Sequence, residues 1–312
     1  MMRSLVFGPA DVAMVPGRAV HRAVHRPARR PIRRWHLVVL VVLGALTLAC
    51  EQGTGGATPA PSGSGKGYPS SMAALGDSIT AGFGSCGAFV ICARNSWSTG
   101  TAPAVDSHYA RILAKNPAIR DHARDFAQPG AVAASLPAQA DRAVTMKAQY
   151  VTVLIGANDA CGGGVADMTP VADFRNSVDA ALSSIRKALP RTRVLVASIP
   201  DLYRLWQVGH TDTSAVRIWS RFRICPAMLA SPTSTAPADD SRRRAVRDRI
   251  SDYDAALQQA CQSYGKRCRW DGGSVHEVQY SLNLVNHVDY FHPNAEGQRE
   301  IADATYPGRF TW

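Results

Sequence analysis

The residues best suited to chemistry are a serine in the first third of the chain and an aspartate–histidine pair near its end. Ser78 closes the stretch AALGDS (73–78), where a short apolar run stops on a small residue, a carboxylate and a hydroxyl. Asp289 and His292 lie three residues apart in VDYFHPN, so one turn of chain can bring their side chains into hydrogen-bond contact. Together these side chains are the components of nucleophilic acyl transfer, in which a serine attacks a carbonyl carbon.

Each of the three residues would have its own role in that chemistry. His292 would take the proton of Ser78, and Asp289 would hold the imidazole in the required tautomer. His287 is a rival base, but no carboxylate in its neighbourhood is placed to orient it in the same way. A plain helix cap at Asp77 or Ser78 stays open as an alternative. A phosphate-binding loop is disfavoured because the glycine-rich GDSITAGFG has no lysine.

The same chemistry needs N–H groups aimed at the oxyanion that develops on the carbonyl oxygen. Asn158 follows the apolar run YVTVLI (150–155) in the motif GAND, so its side-chain amide is a candidate donor. Gly130 lies in QPGA, between a short strand pattern and a helical pattern, so its backbone N–H is a second candidate. Taken singly, both motifs are also ordinary turn sequences.

Positioning these residues requires an α/β scaffold, and the sequence has the pattern of one. Apolar runs typical of buried strands alternate with longer segments of helical periodicity. The predicted strands are 71–75, 124–127, 150–155 and 193–199, and the predicted helices are about 103–115, 133–145, 171–188, 242–262 and 295–305. This alternation predicts a parallel sheet with helices on both faces and a site at the carboxyl ends of its strands. Residues 231–241 are expected to form an exposed loop.

The first 68 residues differ in composition from the rest of the chain. An arginine-rich arm (1–36) precedes the apolar stretch 37–49, which is short for a membrane span and predicts a signal peptide over 1–49. Cys50 then stands where a bacterial lipoprotein carries its lipidated cysteine, with ordinary cleavage nearby as the alternative. Residues 50–68 are rich in Gly, Ser, Thr and Pro and predict a flexible tether, which leaves 69–312 as a single domain.

The charge of the chain is concentrated in the N-terminal arm. The formal net charge of the whole chain is +11. Residues 1–36 contain eight of the 35 basic residues and one acidic residue, and so they contribute +7 of this charge. Without residues 1–49 the excess of basic over acidic residues falls to about +4. The basic character therefore belongs to targeting, and we do not infer nucleic-acid binding from it.

The cysteines indicate an oxidising compartment. Six remain after Cys50, and an even number in an exported chain predicts three disulfides. Proximity in the sequence favours the pairs Cys86–Cys92 and Cys261–Cys268, which leaves Cys161–Cys225. Their spacings fit no zinc site, so no metal is expected.

Five aromatic residues lie in segments that could border the site. They are Trp97, in NSWSTG, and Tyr203, Trp206, Trp219 and Phe222, in the long connection 202–231. Such side chains can line a pocket for an acyl chain or a sugar. Packing in the core beneath the connection is the favoured interpretation for most of them.

Four short motifs, taken together and in order, resemble those of the SGNH hydrolases, the GDSL esterase/lipase superfamily. They are GDSIT (76–80), QPGA (128–131), GAND (156–159) and DYFHP (289–293), and they cover the domain from end to end. The first motif reads GDSIT where the family's namesake has GDSL. The exported, cysteine-rich form is similar to that of the actinobacterial members. The resemblance implies a three-layer α/β/α sandwich around a central parallel sheet, as in flavodoxin.

The resemblance also implies what each site residue does. Ser78 would be the nucleophile, His292 the base and Asp289 its orienter. The backbone N–H groups of Ser78 and Gly130 and the side-chain Nδ2 of Asn158 would form the oxyanion hole. Neither a metal nor an organic cofactor is implied.

The resulting prediction is an exported serine ester hydrolase of carboxylesterase or lipase type, acting through an acyl-enzyme on Ser78. A carbohydrate O-acetyl esterase is the alternative among enzymes. A non-catalytic cell-envelope binding protein on a hydrolase fold is the alternative outside them. The expected partner is a small-molecule or lipid ester. The chain is expected to be a monomer, either secreted or attached to the outer face of the membrane through Cys50.

Overall fold

Gly65 and residues 67–312 are the part of the chain that the computed structural model describes. The predicted signal peptide, Cys50 and nearly all of the predicted tether lie outside these described residues. Within them, no helix is both long enough and apolar enough to span a membrane.

Five parallel strands form one sheet in the order β2-β1-β3-β4-β5. The strands are β1 (Met72–Gly76), β2 (Ala123–Asp125), β3 (Tyr150–Leu154), β4 (Arg193–Val196) and β5 (Cys268–Trp270). Every residue of β1 and β3 is buried, as expected of central strands covered on both faces. Met72 pairs with Tyr150, and this register brings Gly76 beside Leu154 where both strands end. The four predicted strands are confirmed, with small shifts of their ends.

The described residues contain nine α-helices and five short 3₁₀ turns. The helices are α1 (His108–Lys115), α2 (Leu136–Thr145), α3 (Ala157–Ala160), α4 (Val171–Ala188), α5 (Leu202–Gly209), α6 (Thr213–Phe222), α7 (Pro226–Leu229), α8 (Pro237–Tyr264) and α9 (Ala295–Thr305). The 3₁₀ turns are Ala93–Asn95, Pro117–Ile119, Ala133–Ser135, Val165–Asp167 and Leu282–Leu284.

The helices form the two outer layers of an α/β/α sandwich. The chain moves from β1 to β2 in one direction and then to β3, β4 and β5 in the other. Right-handed crossovers therefore place α1 on one face and α2, α4 and α8 on the other, where α4 packs between α2 and α8. On the face of α1, His108 Nε2 lies 2.9 Å from Thr305 Oγ1 of α9. The predicted fold class is confirmed.

The region between β4 and β5 differs most from the prediction. The connection 202–231 contains α5, α6 and α7, which were not predicted. The prediction of an exposed loop over 231–241 is wrong for the second half of that range, because α8 begins at Pro237. Proline and two acidic residues in the first turn stabilise a helix N-terminus, although the same residue types also suit a polar loop. The strand β5 was missed because it has only three residues and a partly exposed edge pattern.

Three disulfides join the cysteines that sequence proximity favours. The pairs are Cys86–Cys92, Cys161–Cys225 and Cys261–Cys268. The first closes a small loop after β1, and the third links the end of α8 to β5. Cys161–Cys225 spans 64 residues and joins the end of α3 to the start of α7. The predicted disulfides are confirmed.

Candidate active site

Ser78, Gly130 and Asn158 follow β1, β2 and β3, and so they emerge at the same edge of the sheet. Strand order reverses between β1 and β3, and this is where open α/β sheets form their sites. Gly76 makes the sharp exit from β1 possible. Its φ is +152°, and a Cβ atom there would lie 2.3 Å from the backbone oxygen of Leu154.

A continuous hydrogen-bond chain joins the three candidate catalytic side chains. His292 Nε2 lies 2.8 Å from Ser78 Oγ, and His292 Nδ1 lies 2.7 Å from Asp289 Oδ2. Because an ionised carboxylate only accepts hydrogen bonds, Nδ1–H donates to Asp289 and Nε2 accepts from the serine hydroxyl. The rival base His287 is exposed, and its ring stacks on Tyr290 instead.

Asp289 is buried and its carboxylate is heavily hydrogen-bonded. Its Oδ1 accepts from the backbone N–H groups of Phe291 and His292 and from Asn286 Nδ2, all within 2.9 Å. Burial by itself raises the pKa of Asp289, but the hydrogen bonds and the charge of His292 outweigh it and bring the pKa below its ordinary value. Asp289 is therefore held in the ionised form that an imidazole orienter requires.

Asn286 is a site residue that the sequence analysis did not identify. Its Oδ1 accepts from the backbone N–H groups of Val288 and Asp289, and its Nδ2 donates to Asp289 Oδ1 and to the backbone oxygen of His292. Asn286 thus fixes both ends of the turn that carries the acid and the base. The spacing Asn-x-x-Asp is the only local signal for it, and this spacing is common in turns.

Two further contacts hold that turn in place. Tyr290 has a left-handed backbone with φ of +54°, a conformation that costs free energy in a residue with a side chain. Its backbone oxygen accepts a 3.0 Å hydrogen bond from Nε1 of Trp219 in α6. Gly84 packs so closely that a Cβ atom would lie 2.5 Å from Asn286 Nδ2. Helix α6 therefore stabilises the acid–base turn through the hydrogen bond from Trp219 to Tyr290.

Each candidate oxyanion donor has an N–H hydrogen that is free to bind substrate. Asn158 Nδ2 donates one hydrogen to the backbone oxygen of Ala131 at 2.9 Å, which anchors the amide and leaves its second hydrogen. The backbone N–H groups of Ser78 and Gly130 donate to no acceptor within the described part of the chain. Gly130 has φ of +79°, so its N–H direction depends on a conformation that favours glycine. All three groups follow strands that end at the same edge of the sheet.

Asp77 is fully buried beside the nucleophile but does not contact His292 through a hydrogen bond. Its Oδ1 accepts from the backbone N–H of Ile79 at 2.9 Å, and its Oδ2 has no partner among the described residues. Burial raises the pKa of Asp77 to about 7. Burial also raises the pKa of nearby Asp159, whose carboxylate accepts from the backbone N–H of Ala133. Both carboxyl groups thus accept hydrogen bonds from backbone N–H groups of the loops that follow the strands.

The aromatic residues divide between the core and the surface. Trp97 and Trp219 are fully buried, which confirms the core interpretation for both; Trp97 Nε1 donates to Thr80 Oγ1. Phe222, by contrast, is exposed. Phe83, which the sequence analysis did not consider, has its ring centroid 5.0 Å from that of His292. Within the described residues, no group of three or more His, Cys, Asp or Glu side chains is arranged to hold a metal ion.

Several solved structures are similar to this chain. The extracellular lipase from Streptomyces rimosus is 20% identical, with a TM-score of 0.45, and the match covers 76% of this chain and 97% of that one. Phospholipase A1 from Streptomyces albidoflavus NA297 is 18% identical, with a TM-score of 0.41 and coverage of 76% and 97%. The Clostridium thermocellum family 3 carbohydrate esterase is 15% identical, with a TM-score of 0.42 and coverage of 75% and 92%. No curated protein matches the sequence.

A protein-family model also matches the chain. The model of the GDSL-like lipase/acylhydrolase family aligns with residues 74–300, which is more than two thirds of the chain. The aligned region begins within β1 and ends within α9, and so it includes all of the strand-end loops and the acid–base turn described above. The chain therefore belongs to the GDSL-like lipase/acylhydrolase family and is an ester-bond hydrolase.

Proposed function

We propose that the protein hydrolyses carboxylic esters through an acyl-enzyme on Ser78, with His292 as general base and Asp289 as its orienter. The observation that carries the proposal is the hydrogen-bond chain from Ser78 Oγ through His292 to Asp289, with distances of 2.8 and 2.7 Å. A helix cap at Ser78 would not require an imidazole at its hydroxyl that a buried carboxylate orients.

In the acylation half of the reaction, Ser78 Oγ forms a bond to the carbonyl carbon of the ester. Its proton passes to His292 Nε2, and the imidazolium that results is stabilised by the ionised Asp289. The tetrahedral intermediate then collapses as the bond to the alcohol oxygen breaks. His292 gives its proton to that oxygen, so the alcohol leaves neutral and the acyl group stays on Ser78.

Water completes the cycle by the same route. His292 takes a proton from a water molecule, whose oxygen attacks the acyl carbon. The bond to Ser78 Oγ then breaks as His292 returns that proton to it, which restores the hydroxyl and releases the carboxylic acid. In both halves the negative charge falls on the carbonyl oxygen. We assign the N–H groups of Ser78 and Gly130 and Nδ2 of Asn158 as its donors, because all three have a hydrogen available at the strand ends.

We further propose that the protein works outside the cytoplasm as a monomer, exported by a signal peptide over 1–49 and tethered through a lipidated Cys50. Three disulfides support the extracellular part of this proposal, because such bonds persist in oxidising compartments. The position of Cys50 directly after an apolar run supports the lipid anchor. Metabolic labelling with a radioactive fatty acid, compared with a Cys50→Ser chain, tests it.

Hydrolysis of p-nitrophenyl esters from acetate to palmitate tests the proposed activity. We expect the wild-type protein to be active and Ser78→Ala to be inactive. Ser251→Ala serves as the matched control, since Ser251 is exposed on α8 and donates only to the backbone of its own helix. Equal activity of wild type and Ser78→Ala on every ester would overturn the proposal. A preference for acetate alone would favour the carbohydrate O-acetyl esterase.

A further inference from the structure

Four large apolar side chains stand out from the surface next to the proposed catalytic site. Phe89, Val90 and Ile91 are consecutive, and they are 52%, 53% and 53% exposed; Phe222, at the end of α6, is 51% exposed. We call these four residues the apolar patch. Single exposed apolar residues are common, but a contiguous group of this kind marks an interaction surface.

The apolar patch is continuous with the catalytic site through a line of aromatic rings. The ring centroids of Phe222 and Phe89 lie 6.3 Å apart, and those of Phe89 and Phe83 lie 6.4 Å apart. Phe83 in turn has its centroid 5.0 Å from that of His292. A molecule bound to the patch therefore lies close to the proposed base, His292.

The segments that carry the patch are structurally constrained. The loop with Phe89 is closed by the disulfide Cys86–Cys92, and Gly84 N–H donates to the backbone oxygen of Val90 at 3.0 Å. Phe222 ends a helix that is anchored to the catalytic turn by Trp219. The disulfide and these hydrogen bonds thus constrain the backbone segments whose apolar side chains face solvent.

The two chain segments that carry the patch have charges of a single sign. Residues 79–105 and 213–238 contain no aspartate or glutamate. They contain four exposed arginines, Arg94, Arg217, Arg221 and Arg223. None of the four arginines forms an ion pair or a side-chain hydrogen bond with another described residue, and Arg221 lies 5.8 Å from the ring centroid of Phe222. Free cations in the same segments as an exposed apolar cluster are complementary to a surface that combines an apolar interior with an anionic outer layer.

We propose that the apolar patch docks on an anionic lipid surface, with Phe89, Val90, Ile91 and Phe222 in the interfacial region and the arginines on the lipid headgroups. A lipid surface offers both apolar depth and a layer of negative charge, which is the combination that the patch complements. This proposal rests on the proposed function, because docking would present the Ser78 site to esters held in that surface.

Co-sedimentation with vesicles tests the docking directly. The full chain carries Cys50→Ser throughout, so that lipidation does not contribute, and the vesicles contain phosphatidylcholine either alone or with about one-third phosphatidylglycerol. We expect stronger binding to the anionic vesicles. Phe89→Ser with Phe222→Ser should weaken that binding at least about tenfold. Arg217→Gln with Arg221→Gln should reduce the preference for anionic vesicles by about tenfold.

Val165→Ser is the matched control, because Val165 is also an exposed large apolar residue but lies outside the patch. Its vesicle binding should equal that of the parent chain. Binding that is unchanged in the Phe89→Ser, Phe222→Ser chain would overturn the proposal. So would a parent chain that forms dimers which this double substitution dissociates, since the patch would then bind a second copy.

Two activity measurements separate this proposal from the proposed function. The Phe89→Ser, Phe222→Ser chain should hydrolyse soluble p-nitrophenyl acetate at the parent rate but lose activity on esters embedded in anionic vesicles. An equal loss on both would overturn docking and make the patch part of the substrate pocket. Ser78→Ala should bind vesicles as the parent does. An inactive parent chain that still binds vesicles through the patch would leave docking standing and remove the proposed function.

Discussion

Asn286 Nδ2 donates a 2.9 Å hydrogen bond to Asp289 Oδ1, while the other carboxylate oxygen, Oδ2, contacts the His292 imidazole. The acid of the proposed triad is therefore held from two sides, by the imidazole it orients and by a buried amide. This contact makes the chemistry of the site depend on the fold of one short turn.

Asn286→Ala should lower kcat by about ten- to a hundredfold while leaving KM nearly unchanged. A hydrogen bond to a charged group contributes about 1.5–3 kcal/mol, and about 1.4 kcal/mol changes a rate tenfold. The loss falls on kcat because Asn286 orients Asp289 and does not contact substrate. Steady-state kinetics on a soluble ester measure it. A large rise in KM with normal kcat would show that Asn286 acts on substrate binding instead.

Gly84→Ala should impair the site more than its backbone strain alone explains. Gly84 has φ of +76°, and an added Cβ atom would lie 2.5 Å from Asn286 Nδ2. Gly87→Ala is the matched control, because Gly87 has φ of +78° but no atom within 4 Å of the added Cβ. Both variants bear strain of about 1–3 kcal/mol, measured by urea unfolding. Only Gly84→Ala should also lose activity; equal activities would contradict the contact.

Asp77→Asn should change how stability depends on pH. Burial raises the pKa of Asp77 to about 7, well above its value of about 3.9 in an unfolded chain. Between about pH 4 and pH 7 the folded state therefore binds a proton that the unfolded state has lost, and the stability due to this group falls as pH rises. The asparagine variant cannot titrate. Its free energy of unfolding relative to wild type should rise by about 1 kcal/mol per pH unit in that window. A constant difference would contradict this.

Loss of the Cys161–Cys225 disulfide should destabilise the protein strongly. This bond closes a loop of 64 residues, whereas Cys86–Cys92 closes a loop of only 6. Chain entropy predicts a cost of about 4 kcal/mol for the long loop and about 2 kcal/mol for the short one. Urea unfolding of the two paired Cys→Ser variants measures the difference. A larger loss from the short loop than from the long one would run against the prediction.

The sequence predicted those parts of the fold and site that depend on local pattern. Central strands such as Tyr150–Leu154 have uninterrupted apolar runs, and Ser78 and Asn158 follow such runs directly, so their shared edge could be predicted. Asn286 could not be, because the only local signal for it, the spacing Asn-x-x-Asp, is common in turns, and its close contact with Gly84 joins residues about 200 positions apart in the chain.

The helices α5, α6 and α7 were missed for a different physical reason. Their segment is interrupted by Gly209 and by Pro226, residues that usually end regular structure, and its aromatic residues obscure the periodic pattern. The structure shows that Gly209 is required by packing, since a Cβ atom there would lie 2.3 Å from the Trp219 ring. Tertiary contacts thus determine the structure of this region, and one of them joins Trp219 to the backbone of Tyr290 in the acid–base turn.

The central claim is that Ser78 carries the acyl group, and intact-protein mass spectrometry after brief incubation with a fluorophosphonate ester tests it most directly. The reagent should add one phosphonyl group to the wild-type protein, with peptide mapping placing it on Ser78. His287→Ala should be labelled at the wild-type rate, and His292→Ala at a rate lower by about 10⁴-fold. A protein that hydrolyses esters but is labelled at another residue, or is labelled equally well in His292→Ala, would contradict the account.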